Sequence, residues 1–484
     1  MAYKDQKEFI DLLEKRGELK RIKQPVSPRL EITEIAARVM HGGGPALLFE
    51  NVQGSRLPVS INLMGSRRRM ALALGVQDVE EIAGRIEALV STRVPESLLG
   101  KLALLPRLVE MTKFPPRTVS GGPVQEVVLE GDEVDLGSLP VLTCWPQDGG
   151  PYFTLPQVIT RDPVTGMRNV GMYRMQVFDR NTTGMHWHIH KHGAQHFESA
   201  RRAGRRLEVA VALGGDPALA YAASAPLPDT IEEYLFAGFL RQQPVELVKA
   251  RTVDLEVPAH ADIVLEGWVD PQAPLRREGP FGDHTGYYSL EDDYPVFHVQ
   301  AVTLRSDAIY PATVVGPPPM EDYWMGHATE RIFRPLLKLV VPELVDYHMP
   351  PEGVFHNLVF VSIRKRYPGQ AFKVMHSLWG QGLMMLAKVL VVVDEEIDVQ
   401  DGQQAWWAAL NNIDPQRDVI FTPGPADALD HASQLPHYGT KMGIDGTRKL
   451  PSEGFIRPWP DRIEMTGEVK RRIDELWKEL GIDG

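Results

Sequence analysis

The chain has 484 residues, 52 of them Lys or Arg against 64 Asp or Glu, for a formal charge of −12; at ~100–200 residues per domain, about two to four domains are expected. A hydrophobic share of 43% and a charged share of 24% are ordinary for a soluble globular protein and exclude a disordered chain. The single cysteine, Cys144, excludes an intrachain disulfide framework, an all-cysteine zinc site and a cysteine-held iron–sulfur cluster, and the acidic balance argues against a general nucleic-acid binder.

The first residues, Met1 to Gln6, are polar and charged, without the apolar core of a secretory signal, so a cytoplasmic protein is expected. Phe9, Ile10, Leu12 and Leu13 with Leu19 outline a short amphipathic helix, and residues 30–39 a second. The turn Gly42-Gly43-Gly44-Pro45 leads into an apolar strand at 46–49. No Gly-Lys-Ser/Thr follows the glycines, so they read as a turn and not as a phosphate cradle. Residues 79–90 look helical again. Pro115-Pro116 and Gly121-Gly122-Pro123 mark a change of texture, closing an N-terminal α/β domain at 1–118. From 119 to 320 short β-rich runs crowd together, at 124–129, 158–161, 170–177, 207–213, 263–269 and 296–304. They predict a β-barrel or sandwich, with a helix inserted near 229–240. Residues 321–462 return to mixed α/β, with a buried strand at 389–393 ending at Asp394. The apolar run at 386–393 is interrupted by Lys388 and falls far short of the ~20 residues that span a bilayer. In the tail, 463–484, Val469, Ile473, Leu476, Trp477 and Leu480 share one helical face, which needs cover from the body of the protein or from a second subunit. The fold class is therefore α/β (α+β), without internal repeats or low-complexity blocks.

Chemistry concentrates in three places. Met185-His186-Trp187-His188-Ile189-His190-Lys191-His192-Gly193 carries four histidines at i, i+2 spacing. On a strand all four would share one face, a pattern suited to a metal or an anionic ligand. Asp229-Thr230-Ile231-Glu232-Glu233 reads as a helix start with Asp229 as N-cap and Glu232 in a capping-box position. Glu233 is then either a metal ligand or a carboxylate that favours the helix dipole. Residues 278–288 form a Gly/Pro-rich loop carrying Glu278, Asp283, His284 and two tyrosines, the make-up of a loop that bears acid/base groups.

These segments, together with Asn169-Val170-Gly171-Met172-Tyr173-Arg174, occur in the order of the UbiD family of prenylated-FMN-dependent decarboxylases, which the chain resembles over nearly its whole length. Gly44 to Asn51, Thr143-Cys144-Trp145-Pro146 and Lys441-Met442-Gly443-Ile444-Asp445 resemble it too. The resemblance implies a central split β-barrel that binds the flavin, an α/β domain on either side, and a swapped terminal helix that docks on a neighbouring protomer. It implies a divalent cation, Mn2+ or Mg2+, held by Asn169, His190 and Glu233 against the cofactor phosphate, with K+ as a further candidate. That donor set suits a hard cation, with some preference for manganese from the imidazole. It implies that Met172, Tyr173, Arg174, His186, Trp187, His188, Lys191, His192 and Lys388 line the flavin, and that Arg174, Glu278 and Asp283 are catalytic. Arg174 would orient a carboxylate, Asp283 would be the proton donor and Glu278 would hold Arg174.

The implied reaction is the reversible, non-oxidative decarboxylation of an aromatic acid through a covalent prenylated-FMN adduct. A flavin prenyltransferase would supply the cofactor. The substrate would be of 4-hydroxybenzoate type, such as 3-polyprenyl-4-hydroxybenzoate of ubiquinone biosynthesis, with peripheral membrane contact if it is prenylated. The assembly would be a homodimer or homohexamer. His186 and Lys191 stand where the ubiquinone-pathway enzyme has arginines, so a menaquinone-pathway naphthoate or another aryl or heteroaryl acid is an alternative. Two further alternatives are a flavin-free metal-dependent hydrolase or lyase built on 186–192, and a non-catalytic flavin-binding subunit.

Overall fold

The computed structural model describes residues 2–90, 113–188, 191–228 and 231–481. Near the N-terminus, Leu19–Ile22, Ala46–Phe49, Val59–Ile61 and the distant Tyr310–Pro311 form a four-stranded sheet in that order. Alternation along Ala46–Phe49 sends Ala46 and Leu48 into one core with Phe9, Ile10 and Leu13, and Leu47 and Phe49 into another with Ile32, Ala36 and Met40. The helices Gln6–Lys15 and Glu31–His41 thus cover opposite faces. Leu19 is not on the first helix as its spacing predicts. Gly17 at φ +73 stops that helix, and Leu19 opens the strand paired in parallel with Ala46–Phe49.

The central sheet runs Thr182–Gly184, Val296–Leu304, Ile263–Val269, Leu207–Leu213, Gln157–Arg161, Arg168–Met172, antiparallel throughout, with Val127–Glu130 also on the edge of Val296–Leu304. Val209, Val211, Leu213, Ile263 and Leu265 enter one core, while Ala210, Ala212 and Val264 enter the other. Burial on both faces explains why these strands are continuous apolar runs without a polar alternation. Among the described residues the sheet stays open and does not close into a barrel. The predicted strand at 170–177 is broken in two. After Met172 the chain leaves the sheet, and Met175–Gln176 pairs instead with Tyr152–Phe153, so Arg174 lies in the gap.

The last sheet has the order Leu344–His348, Leu358–Ile363, Val389–Asp394, Tyr438–Asp445, Val419–Pro425, with its three central strands parallel. Gln370–Trp379 packs on one face through Ala371, Val374 and Leu378, and Gly402–Asn412 on the other through Ala405 and Ala409. This is the layered α/β arrangement that parallel strands require. The terminal helix Gly467–Leu480 lies with Val469, Ile473 and Trp477 exposed, Trp477 at 48%, so the described residues of the body do not cover its stripe. Among the described residues, no helix is long and apolar enough to cross a membrane.

Leu265 is fully buried in the middle of the central sheet. Leu265→Ala is expected to lower stability by about 2–5 kcal/mol, read as a lower urea midpoint in equilibrium unfolding.

Candidate active site

The strand Arg276–Glu278 pairs antiparallel with Asp292–Tyr294, and the loop between them turns back beneath Arg174. Gly279 begins that loop at φ +100, in the region that favours glycine. Gln176 accepts a hydrogen bond from the Gly279 N–H at 2.9 Å. Asp148 accepts the Gly282 N–H at 2.8 Å through one carboxylate oxygen and the Cys144 and Trp145 N–H groups through the other. A Cβ on Gly282 would run into the Trp145 ring, so glycine is required at that approach.

Held this way, Glu278 and Asp283 meet Arg174 from two sides. Arg174 Nε donates to Glu278 Oε1 at 3.1 Å, and Nη2 to Glu278 Oε2 at 3.3 Å. Nη1 pairs with Asp283 Oδ2, Nη2 also donates to Ser289 Oγ at 3.1 Å, and the Phe281 ring lies 4.7 Å below the guanidinium. Glu278 is 1% exposed. Burial pushes its carboxyl up, but the His186 hydrogen bond and the Arg174 charge outweigh that and hold it at about 2. Burial likewise pushes Asp283 up, and His284 together with Arg174 holds it well below the usual carboxylate range. Both acids are therefore ionised in this arrangement.

Each acid continues into a histidine pair. His186 Nδ1 lies 3.1 Å from Glu278 Oε2, and its Nε2 lies 2.8 Å from Nε2 of His188. Burial and the Arg174 charge lower the His186 pKa, so the ring is neutral at pH 7 and donates to Glu278 from Nδ1. Its Nε2 is then an acceptor facing His188. On the other side His284 donates to Asp283, N to Oδ1 at 2.8 Å with Nδ1 3.1 Å away, and its Nε2 lies 3.1 Å from Nε2 of His356. The result is a continuous polar line from His188 through His186, Glu278, Arg174, Asp283 and His284 to His356.

The histidine row is not the strand that its spacing predicts. The strand Thr182–Gly184 ends before it, the 185–188 stretch is irregular, and His192 opens the helix His192–Arg202 with Lys191 as N-cap. Local turns replace the ladder: Trp187 N–H bonds to Met185 O at 2.8 Å and Lys191 N–H to His188 O at 3.0 Å. His190 lies outside the described residues. Trp187 is buried against Gly193 and Phe197, and Tyr173 is buried with its hydroxyl 3.4 Å from the Gly193 N–H. Met172 is partly buried at the end of its strand.

The strand Arg168–Met172, which carries Asn169, meets the helix Glu233–Arg241 at its first residue. Glu233 Oε2 accepts the Val170 N–H at 2.9 Å, and burial pushes its carboxyl up to about 7. The Asn169 amide nitrogen is buried and, among the described residues, has no hydrogen-bond partner. A cation ligated by the Asn169 and Glu233 oxygens would relieve the buried carboxylate, so these residues fit the expected metal. The helix does not start as the capping pattern predicts. Its N-cap is Glu232, whose carboxylate pairs with Arg168 and makes no capping bond, and Asp229 lies outside the described residues. Lys388 stands before its strand and donates to Asp430 at 2.6 Å.

Sequence reasoning missed Asp148, Ser289, Tyr294 and His356. None carries a local motif; Tyr294, for instance, is recognisable only once its ring stands 4.3 Å from that of His186.

Three family models match in order: the 3-octaprenyl-4-hydroxybenzoate carboxy-lyase N-terminal domain over residues 10–88, its Rift-related domain over 117–318 and its C-terminal domain over 323–446. An uncharacterized protein of Aquifex aeolicus is 55% identical over 99% of both chains. The UbiD-class enzyme HmfF from Pelotomaculum thermopropionicum, solved in complex with FMN, is 33% identical with a TM-score of 0.80, over 97% of this chain and 99% of that one. Sedimentibacter hydroxybenzoicus vanillic acid decarboxylase in closed form is 30% identical with a TM-score of 0.85, over 99% of this chain and 100% of that one. Fold and matches together define a carboxy-lyase. The chain belongs to the UbiD family of decarboxylases.

Because the folded-state pKa of Glu278 is depressed, its ionised form stabilises the protein above the unfolded value of about 4.3, and that contribution is lost as pH falls toward about 2. Glu278→Gln should cost roughly 1–3 kcal/mol at pH 7. The difference from the unsubstituted protein should shrink below pH 4.5 in equilibrium unfolding followed across pH.

Proposed function

We propose that the protein is a prenylated-FMN-dependent decarboxylase of a hydroxylated aromatic acid, releasing CO2 without net oxidation. The observation that carries this reading is the buried guanidinium of Arg174 shared by two ionised acids, Glu278 and Asp283, within one loop-bounded site. Prenylated FMN, when bound, supplies the electron sink that loss of CO2 from an aromatic carbon needs. Asn169, His190 and Glu233 would hold the divalent cation at its phosphate. Met172, Tyr173, His186, Trp187, His188, Lys191 and His192 would line it, with Lys388 near the phosphate once released from Asp430.

Arg174 binds the substrate carboxylate in two-point geometry, in competition with Asp283. Glu278 keeps its two bonds to Arg174 and so holds the guanidinium plane while Asp283 is displaced. Displacement from Arg174 removes one of the influences that hold the Asp283 carboxyl down, while burial continues to push it up against the hydrogen bonds and charge of His284. Asp283 then carries one proton, which passes to the ring carbon that lost CO2. The balance is one carboxylate and one proton in, one CO2 and one C–H bond out. His284 and His356 return a proton to Asp283 for the next cycle. The likeness to vanillic acid decarboxylase supports a hydroxylated benzoate or related aryl acid over a flavin-free hydrolase.

Protein co-expressed with a flavin prenyltransferase and offered a panel of hydroxylated aryl acids should release CO2 from at least one. Failure to retain flavin and to release CO2 from any of these acids would overturn the reading. In that active preparation Asp283→Asn should retain the flavin spectrum but lose about 10²–10⁴-fold in turnover. It should also lose hydrogen–deuterium exchange at the product carbon.

The uncovered stripe of Gly467–Leu480 supports a homo-oligomer in which that helix docks on a neighbouring subunit. Trp477→Asp should yield a smaller species in light scattering with an unchanged far-ultraviolet circular dichroism spectrum.

A further inference from the structure

Away from the Arg174 cluster, the helix Glu321–Val340 presents His327 and Glu330 one turn apart, facing His348 at the end of the strand Leu344–His348. Glu330 is 0% exposed. His348 Nδ1 lies 3.0 Å from Glu330 Oε2 and 3.3 Å from Oε1, and His327 Nδ1 lies 3.5 Å from Oε1. One ligand atom from each of the three residues falls within 4.8 Å of the other two. A tetrahedral ion with bonds of 2.0–2.1 Å has ligand–ligand edges of about 3.3–3.4 Å, so two of the three edges are already close to that value.

Two observations separate this cluster from an ordinary buried hydrogen bond. The His327 Nδ1 atom is buried and, among the described residues, has no hydrogen-bond partner, although it faces a carboxylate. A buried imidazole nitrogen left in that state is costly unless something occupies the space in front of it. The second observation is charge. Arg331 lies 3.3 Å from Glu330, but it also pairs with Glu80 at 2.6 Å and Asp346 at 2.9 Å, and Arg334 pairs with the same two acids. Three carboxylates face two guanidinium groups, and Glu330, the one fully buried acid among them, has only a partial share of Arg331. Met349 N–H at 2.6 Å and Gln400 Nε2 at 3.2 Å donate to Glu330 and orient its carboxylate.

We propose that His327, Glu330 and His348 form a second cation site, which takes a divalent transition-metal ion of zinc type with water as the remaining ligand. Two imidazoles and one carboxylate are a donor set suited to zinc, and they share no residue with the Asn169, His190 and Glu233 set. The ion ties the long helix to the edge strand of the last sheet and completes the coordination of His327. It acts on structure, so its presence does not depend on which acid the enzyme decarboxylates.

The test uses the full chain in a Glu233→Gln background, so that an ion at the flavin phosphate does not contribute. After treatment with chelator and titration with Zn2+, about one equivalent per chain should remain bound through desalting. Co2+ in place of Zn2+ should give the visible d–d bands of a four-coordinate site. Adding His327→Gln, which removes the Nδ1 ligand, should abolish both signals while the circular dichroism spectrum is retained. Absence of bound Zn2+ and of Co2+ bands in the Glu233→Gln protein overturns the proposal in favour of a proton shared between the imidazoles and Glu330. Equal binding with and without His327→Gln overturns it as well. Should His327→Gln fail to fold, the Co2+ spectrum of the Glu233→Gln protein decides alone. Neither readout uses flavin or turnover, so failure here and failure of the decarboxylase reading are distinguishable.

Discussion

One guanidinium held between two carboxylates, away from water, is the constraint on which the site depends. Desolvating three charges costs several kcal/mol per ion, and a buried ion pair is a poor way to gain stability. The surroundings offset that cost with oriented groups: Ser289 on Arg174, His186 on Glu278 and His284 on Asp283. The Phe281 ring beneath the guanidinium adds a favourable quadrupole. Two acids share the one guanidinium, and His284 stands beside the second of them. An incoming carboxylate can take the place of Asp283 on Arg174 without leaving the guanidinium unpaired.

The scaffold serves that triad through its breaks as much as through its sheets. Arg174 sits where a strand leaves the central sheet, and Glu278 sits on the last pair of a short hairpin. Asp283 lies in a loop that Asp148 and Gln176 fasten beside the paired strands Tyr152–Phe153 and Met175–Gln176. Because the central sheet is buried on both faces, its strands have little freedom to shift, and the ladder of Arg168–Met172 on Gln157–Arg161 fixes where the chain leaves toward Arg174. On the far side of the site, His356 precedes the strand Leu358–Ile363 of the last sheet, so the polar line crosses from one sheet system to the other.

Much of this was legible beforehand. The apolar runs at 207–213 and 263–269 matched observed strands because fully buried strands need no alternation to be recognised. The loop at 278–288 announced itself through glycine, proline and clustered acids. The histidine row misled, since i, i+2 spacing implies a shared face only in a strand, and turns at Trp187 and Lys191 prevented one. Leu19 misled in the same way, its helical spacing cancelled by Gly17. Asp148 and His356 were invisible, because each acts on a partner more than seventy positions away and has no local signature.

The sequence by itself determined the family, the α/β class, the identity of the acids and the arginine, and the amphipathic tail. These follow from residue type, order and periodicity, which are properties of the chain alone. Only the tertiary structure decided that Asp283 is ionised and paired with Arg174, that His186 is neutral, that Val170, next to Asn169, meets Glu233, and that His327, Glu330 and His348 converge. Protonation and ligation depend on desolvation and on charges brought close from distant positions, and neither exists until the chain has folded.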